Sequence, residues 1–205
     1  MTTPSIDSGL VEGMERIKNR IPPGWGRWIS CGPGWYALLV KLDEDLSALV
    51  PDYEVHQVKE KYGTLRFYVG FPHIEPECCL VLKTKDPRPY DEPVSGPWVP
   101  KDRPAEIQAA LDAWFQRWLA HSTTAEHKKS CADLEFDPRV LSRRAAGPET
   151  YRLIKAAEEA SASICEECSR PGVLAVCGGW FKTLCPTCAT ALDYVFVSEL
   201  EEDLG

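Results

Sequence analysis

Four cysteines near the C-terminal end, Cys165, Cys168, Cys185 and Cys188, follow the pattern C-x2-C-x16-C-x2-C. Two thiolates separated by two residues can reach one ion from a single tight knuckle, and two such pairs complete a four-coordinate shell. The chemistry is metal binding, and the expected ion is one structural Zn2+. A catalytic zinc keeps three protein ligands and an open position, whereas four thiolates close the shell. Pro171-Gly172, the apolar run VLAVC, the pair Gly178-Gly179 and the run WFKTL lie between the two pairs. They read as two short strands joined by a glycine turn. The sequence after Cys185 reads as helical, so the second pair should sit at a helix start, and knuckle, hairpin, helix is the order of a treble clef. Cys177 has no partner at knuckle spacing and is expected to be a packed apolar cysteine.

Other residues could do chemistry, with weaker spacing behind them. His56, Lys59, Glu60, Lys61, Tyr62 and Arg66 could supply an acid, a base and an anion clamp. A charged row on a hairpin is, however, the ordinary form of a solvated face with cross-strand pairs. Cys31 precedes a helix whose dipole could lower its pKa and make it a nucleophile, but the surrounding tryptophans favour a structural role. Cys78 and Cys79, with His73, His121, His127 and Cys131, could form a second metal site. Adjacent cysteines at these spacings match no common zinc pattern, so coincidence is the expectation. No Walker A loop, G-x-G-x-x-G, H-E-x-x-H or G-x-S-x-G is found in the chain. No catalytic residue is assigned.

The elements that must position these groups can be read from hydrophobic period. Residues 8 to 20 place Leu10, Val11, Met14 and Ile17 on one helical face, with Ser8 as N-cap. A Pro-, Gly- and Trp-rich stretch with Trp25, Trp28 and Trp35 follows. A second helix from Trp35 to Val50 carries Leu38, Leu39, Leu42, Leu46 and Leu49. The run YEVHQVKEKYGTLRFYVGF reads as a hairpin with Leu65, Phe67 and Val69 on one face and Arg66 and Tyr68 on the other. Residues 72 to 104 hold eight of the seventeen prolines and read as an extended excursion, with a short strand at Leu80 to Leu82. A helix from Ala105 to about Ala120 bears the stripe Ile107, Leu111, Trp114, Phe115, Trp118 and Leu119. Residues 121 to 147 read as polar and irregular, and a last helix from about Pro148 to Ser163 leads into the cysteines. The expected fold class is α+β, a core of helices plus β-hairpin with a C-terminal treble-clef-like zinc module. The boundaries are 1–71 for the core, 72–147 for the Pro-rich insertion with its amphipathic helix, and 148–205 for helix and zinc module. The first and last of these should pack as one domain.

The segments CGPGWYALLVKL, PDYEVHQVKEKYGTLRFYV, AAEEASASICEECSRPG and WFKTLC are similar to a set of small uncharacterised zinc-knuckle proteins from phages, prophages and bacteria. In that set a C-G-x-G-W helix, a Q-V-K-E-K-[YF]-G-x-L-R-F-Y hairpin and a C-terminal knuckle follow one another closely. The resemblance covers about residues 29 to 71 and 151 to 190 and implies one compact domain, with no activity attached. This chain departs from it in two ways. About eighty residues intervene between hairpin and knuckle, and Ser169 stands where glycine is usual.

Composition bounds the function. The 205 residues are 44% hydrophobic, enough for one core plus a small module. The first residues show no apolar signal region, and nine cysteines, an odd number with two C-x-x-C pairs, point to metal ligands and free thiols in a reducing cytoplasm. No apolar run is long enough to span a membrane. Net charge is −8, and the excess is C-terminal, with four Lys/Arg against nine Asp/Glu from residue 151 onward. Such a module repels a phosphate backbone, which favours a protein partner over nucleic acid. The expected function is a non-enzymatic, zinc-stabilised protein-binding factor, phage-encoded as the resemblance implies and modulating or inhibiting a host protein in the host cytoplasm. Its contact residues would be Trp98, Trp114, Trp118, Glu199, Glu201, Glu202 and Asp203. The alternative is a nucleic-acid-binding regulator that uses the module together with Lys59, Lys61, Arg66, Lys83, Lys85 and Arg88.

Overall fold

A leucine stripe at helical spacing and an alternating hairpin can bury their apolar faces only against each other, and this pairing organises the N-terminal half. In the computed structural model, which describes residues 8–23, 29–74, 76, 78–79 and 105–202, helix α1 spans Ser8–Asn19 and helix α2 spans Tyr36–Leu49. The two pack together through Met14 and Ile17 of α1 and Leu39, Leu42 and Leu46 of α2, all buried. Gly13 makes the close approach possible, since a Cβ there would stand 2.5 Å from a Val40 methyl. Asp43, fully buried, ties the pair to the chain beyond α2. Its carboxylate accepts from Arg16 Nε at 3.2 Å, Arg20 Nε at 2.8 Å and the Tyr53 hydroxyl at 2.6 Å.

Strands β1 (Ile29–Ser30), β2 (Glu54–Lys61) and β3 (Thr64–Gly70) form a sheet in the order β1-β2-β3, with β1 parallel to β2 and β2 antiparallel to β3. Val58 pairs with Phe67, and Leu65 and Phe67 are buried as the alternation of β3 predicts, while Val55 and Val58, three residues apart, are both buried because a bulge between Val55 and Gln57 shifts the register of β2. Edge strand β3 is closed by side chains of a later helix. Leu65 N donates to Ser161 Oγ at 2.9 Å and Phe67 N to Glu158 Oε1 at 3.4 Å.

That helix is α5 (Pro138–Ser161), preceded by α3 (Ala105–Ser122) and α4 (Ala125–Leu134). Residues 121 to 147 are therefore largely helical, a correction to the irregular segment expected from their polarity. The local signals are caps. Thr124 Oγ1 accepts from His127 N at 3.1 Å, and Asp137, directly before Pro138, accepts from Arg139 N at 2.8 Å. Pro148 lies inside α5 and does not start it. Gly147 before it has no Cβ, which eases the clash a proline imposes on its predecessor.

The C-terminal part builds a second sheet from β4 (Val173–Cys177), β5 (Trp180–Leu184) and β6 (Val195–Phe196), in the order β5-β4-β6. Gly178 and Gly179, with φ of 55° and 84°, supply the two positive-φ residues that a tight β4–β5 hairpin requires. Helix α6 covers only Pro186–Ala191. Asp193, at φ 58°, ends it, Tyr194 N turns back to Ala189 O at 2.9 Å, and β6 pairs with β4 before α7 (Val197–Glu202) begins. The continuous C-terminal helix expected from sequence is thus interrupted, because Val195 and Phe196 complete the sheet.

The described residues form two compact units. The first holds 8–22, 29–71 and 147–202, and the second holds 23, 72–74, 76, 78–79 and 105–146. Among the described residues no helix is long and apolar enough to cross a membrane. Leu80 to Leu82, Trp25 and Trp28 lie outside the described residues.

Candidate metal centre

The sulfur atoms of Cys165, Cys168, Cys185 and Cys188 lie within 4.8 Å of one another, a set that can hold a metal ion. Cys168 Sγ and Cys185 Sγ are 3.5 Å apart. A tetrahedral thiolate site with metal–sulfur bonds of about 2.3 Å has sulfur–sulfur edges of about 3.8 Å, so the spacing is already close to a ligand shell. The first pair sits on a turn in which Ser169 N donates to Cys165 O at 3.0 Å and Cys165 N to Arg170 O at 2.7 Å. The second pair begins α6, with Cys185 as its N-cap. Cys165 and Cys185 are buried in a small core with Ala175, Leu184 and Ala189, flanked by Tyr194 and Phe196, while Cys168 faces solvent.

The thiols differ electrostatically. Burial pushes Cys168 up, yet donation from Arg170, whose Nε lies 3.3 Å from the sulfur, and from the neighbouring thiols outweighs it and brings the group down to about 6. Burial, and then the sulfurs around it, push Cys188 up to about 12. Burial also raises Cys165, against the amides of Cys185, Glu167 and Cys168. Cys168 is thus the natural first thiolate, and a cation would let the others follow.

The N-terminal motif is built around this knuckle. Trp35 is fully buried and its Nε1 donates to Ile164 O at 2.8 Å. Gly34 N donates to Glu166 O at 2.6 Å, and Gly32 N to Glu166 Oε1 at 2.8 Å. A Cβ on Gly34 would stand 2.1 Å from the Cys165 carbonyl oxygen, and one on Gly32 would stand 2.5 Å from that of Glu166. Ser169, at φ 63°, adopts a left-handed conformation usually left to glycine, and its Oγ donates to Gly34 O at 2.8 Å. The hairpin tip meets the module from another side. Thr183 Oγ1 donates to Gly63 O at 2.6 Å, Glu166 N donates to Thr183 O at 2.9 Å, and Tyr62 meets Phe181 edge-on at 6.3 Å. Glu166 escaped the sequence reading although it stands between two ligands. It is fully buried, with Oε2 3.3 Å from Lys182 Nζ.

Other singled-out residues fall as follows. Cys177 ends β4 opposite Trp180 and does not belong to the sulfur cluster. Burial, reinforced by Glu166, pushes the Cys31 thiol up to about 12, away from a nucleophilic thiolate. Lys59 pairs with Arg66 across the hairpin, while His56 sits at the bulge by Glu54, so these groups do not converge. Trp114 and Trp118 are half-buried on α3, and Phe115 and Leu119 are exposed, so the stripe is only partly covered. Glu199 is exposed on α7. Trp98, Asp203, Lys83, Lys85, Arg88 and the side chains of Ile107, Glu201 and Glu202 lie outside the described residues. Cys78, Cys79, His121 and His127 do come together, contrary to the expectation of coincidence.

No family model, curated protein or solved structure matches this chain.

Proposed function

We propose that this chain is a non-enzymatic, zinc-stabilised protein-binding factor whose contact surface is the pair of hairpin turns at Tyr62 and Trp180. The observation that carries the reading is Trp180, the side chain of a tight turn left 75% exposed beside Phe181 and a Tyr62 that is 67% exposed. Large rigid aromatics held in water at the rim of a fixed scaffold are the residues that anchor protein interfaces. They border an open concavity of about 470 Å3 lined also by Glu60, Lys61, Gly178 and Gly179. One acid and one base make a nearly neutral rim, which suits a protein surface better than a phosphate backbone.

The ion is zinc on the chemistry of the donors. Four thiolates and no carboxylate suit a d10 ion without geometric preference, and a closed shell leaves no position for substrate. The role is structural, and the module reads as a treble clef because a knuckle, a hairpin and a helix start follow in that order, with the knuckle and the helix start supplying the ligands. Membership in the phage and prophage zinc-knuckle set is supported by the use of its motif residues, since Gly32, Gly34, Trp35 and Gly63 all touch the knuckle or its hairpin. A host protein is then the partner.

A second reading, nucleic-acid binding, has one observation in its favour. Lys59 and Arg66 pair on the outward face of the β2–β3 hairpin, and Lys59 Nζ lies 5.4 Å from the Tyr68 ring centre.

Affinity capture from bacterial extract with the full chain, followed by binding of the purified captured protein, separates the two. Loss of that binding in Trp180→Ala/Tyr62→Ala, with metal content unchanged, is expected. Salt-dependent binding of DNA or RNA that is lost in Lys59→Ala/Arg66→Ala, with no protein partner recovered, would reverse the preference.

A further inference from the structure

We propose that Cys78, Cys79, His121 and His127 form a second metal site, of S2N2 type, in the unit inserted between hairpin and knuckle. Their donor atoms lie within 4.8 Å of one another. His127 Nδ1 is 3.6 Å from Cys78 Sγ and 3.3 Å from Cys79 Sγ. In a tetrahedral zinc shell the sulfur–nitrogen edge is about 3.5 Å, so both distances match ligands of one ion. The objection to adjacent cysteines loses its force here, because both sulfurs reach the same imidazole nitrogen. Cys79 N donates to Pro76 O at 2.9 Å, which folds the chain into the turn that presents them.

Two further observations point to a ligand. His121 Nε2 is buried and finds no hydrogen-bond partner among the described residues, a costly arrangement for a ring nitrogen unless an ion takes its lone pair. The other nitrogen of His127, Nε2, lies 3.3 Å from Cys131 Sγ, one helical turn further along α4. Metal-bound histidines are held in just this way, one nitrogen on the ion and the other on an outer partner that fixes ring and tautomer. The two imidazoles stand nearly perpendicular, with centres 5.3 Å apart.

The described residues of the unit bury few apolar side chains. Among its described residues the buried apolar ones are Pro76, Cys78, Cys79, Leu111 and Ala146, and α4 buries none. An ion joining the Cys78-Cys79 turn, the end of α3 and the start of α4 would hold three segments that little else holds. The donor set selects a thiophilic ion of the zinc class and excludes calcium and magnesium, which take oxygen ligands.

The test uses the intact chain, reduced and loaded with Zn2+. Native mass spectrometry should give two zinc ions per chain, falling to one in Cys78→Ser/Cys79→Ser and in His121→Ala/His127→Ala. Cys165→Ser/Cys168→Ser should remove the other, so failure at either site is told apart. On the wild type, 113Cd NMR should show one resonance for a four-sulfur site and a second, upfield, for two sulfurs and two nitrogens, a readout independent of whether variants fold. Cys131→Ser should keep two ions and weaken the second by about tenfold or more in chelator competition. One ion per chain, unaffected by the His121 and His127 substitutions, would overturn the site. So would a Cys78–Cys79 disulfide that persists under reducing conditions with Zn2+ present.

Discussion

Gly34 shows how narrowly the N-terminal motif is matched to the knuckle. Its missing side chain lets the amide reach the Glu166 carbonyl, so Gly34→Ala must push the turn at residues 33–35 away from Cys165 and lose Trp35's bond to Ile164 as well. Destabilisation of about 3 kcal/mol or more is expected, read as a lowered urea midpoint. A second prediction concerns pH. Burial, its hydrogen bond to Asp43 and that carboxylate's charge hold the Tyr53 phenol far above its ordinary range, and burial pushes Cys31 up to about 12. In both cases the folded state retains a proton that the unfolded chain releases near its ordinary thiol or phenol value. Stability should therefore fall as pH rises from about 9 toward 12. Tyr53→Phe removes the phenol's share of that slope, which denaturation curves at pH 8, 9.5 and 10.5 would reveal. At this scale the four cysteines were legible because ligand spacing is a local property. Glu166, Ser169 and the second cluster were not, because each role needs at least one partner far away in sequence, Gly32 for Glu166, Gly34 for Ser169 and His127 for Cys79.

The helices and hairpins separate by how local their determinants are. The leucine period of α2, the alternation of β3 and the paired glycines before Trp180 each stated their element, and each formed where expected. Helix α4 and the first part of α5, before Pro148, failed to announce themselves through apolar period, and the caps at Thr124 and Asp137 were the better signal, whereas the rest of α5 formed where expected. Pro148 misled as a helix start. It lacks the N–H that would bond the carbonyl one turn back, so Pro148→Ala should strengthen α5 by up to about 3 kcal/mol. Slower amide exchange across residues 145–155 would register it. The join between the two hairpins is equally specific. Thr183→Val preserves shape but leaves the Gly63 carbonyl without its donor, for a loss of about 1–3 kcal/mol and faster exchange at Gly63 and Thr64. No change in either amide would mean that the hairpin tip is held by Tyr62 and Phe181 instead.

For the whole molecule, the knuckle is the junction at which the first unit closes on itself. Cys165→Ser/Cys185→Ser should abolish the metal there and expose segments far from the cysteines. Hydrogen exchange is expected to rise at residues 29–36 and 62–66 along with 161–196, while residues 105–134 keep their protection. Loss confined to 161–196 would show that the N-terminal half holds its shape alone. Fold class followed from sequence, but the arrangement did not, since it rests on Trp35, Gly32, Gly34 and Gly63 meeting residues 129, 134, 135 and 120 positions away, respectively. Those separations set an order of events during synthesis. The turn at Cys31–Trp35 leaves the ribosome early, and its partners between Ile164 and Ser169 arrive more than a hundred residues later. Until then Trp35 lacks its Ile164 partner, so the early segment should wait as an unfinished half and close late, in one concerted step, once residues 164–183 have emerged.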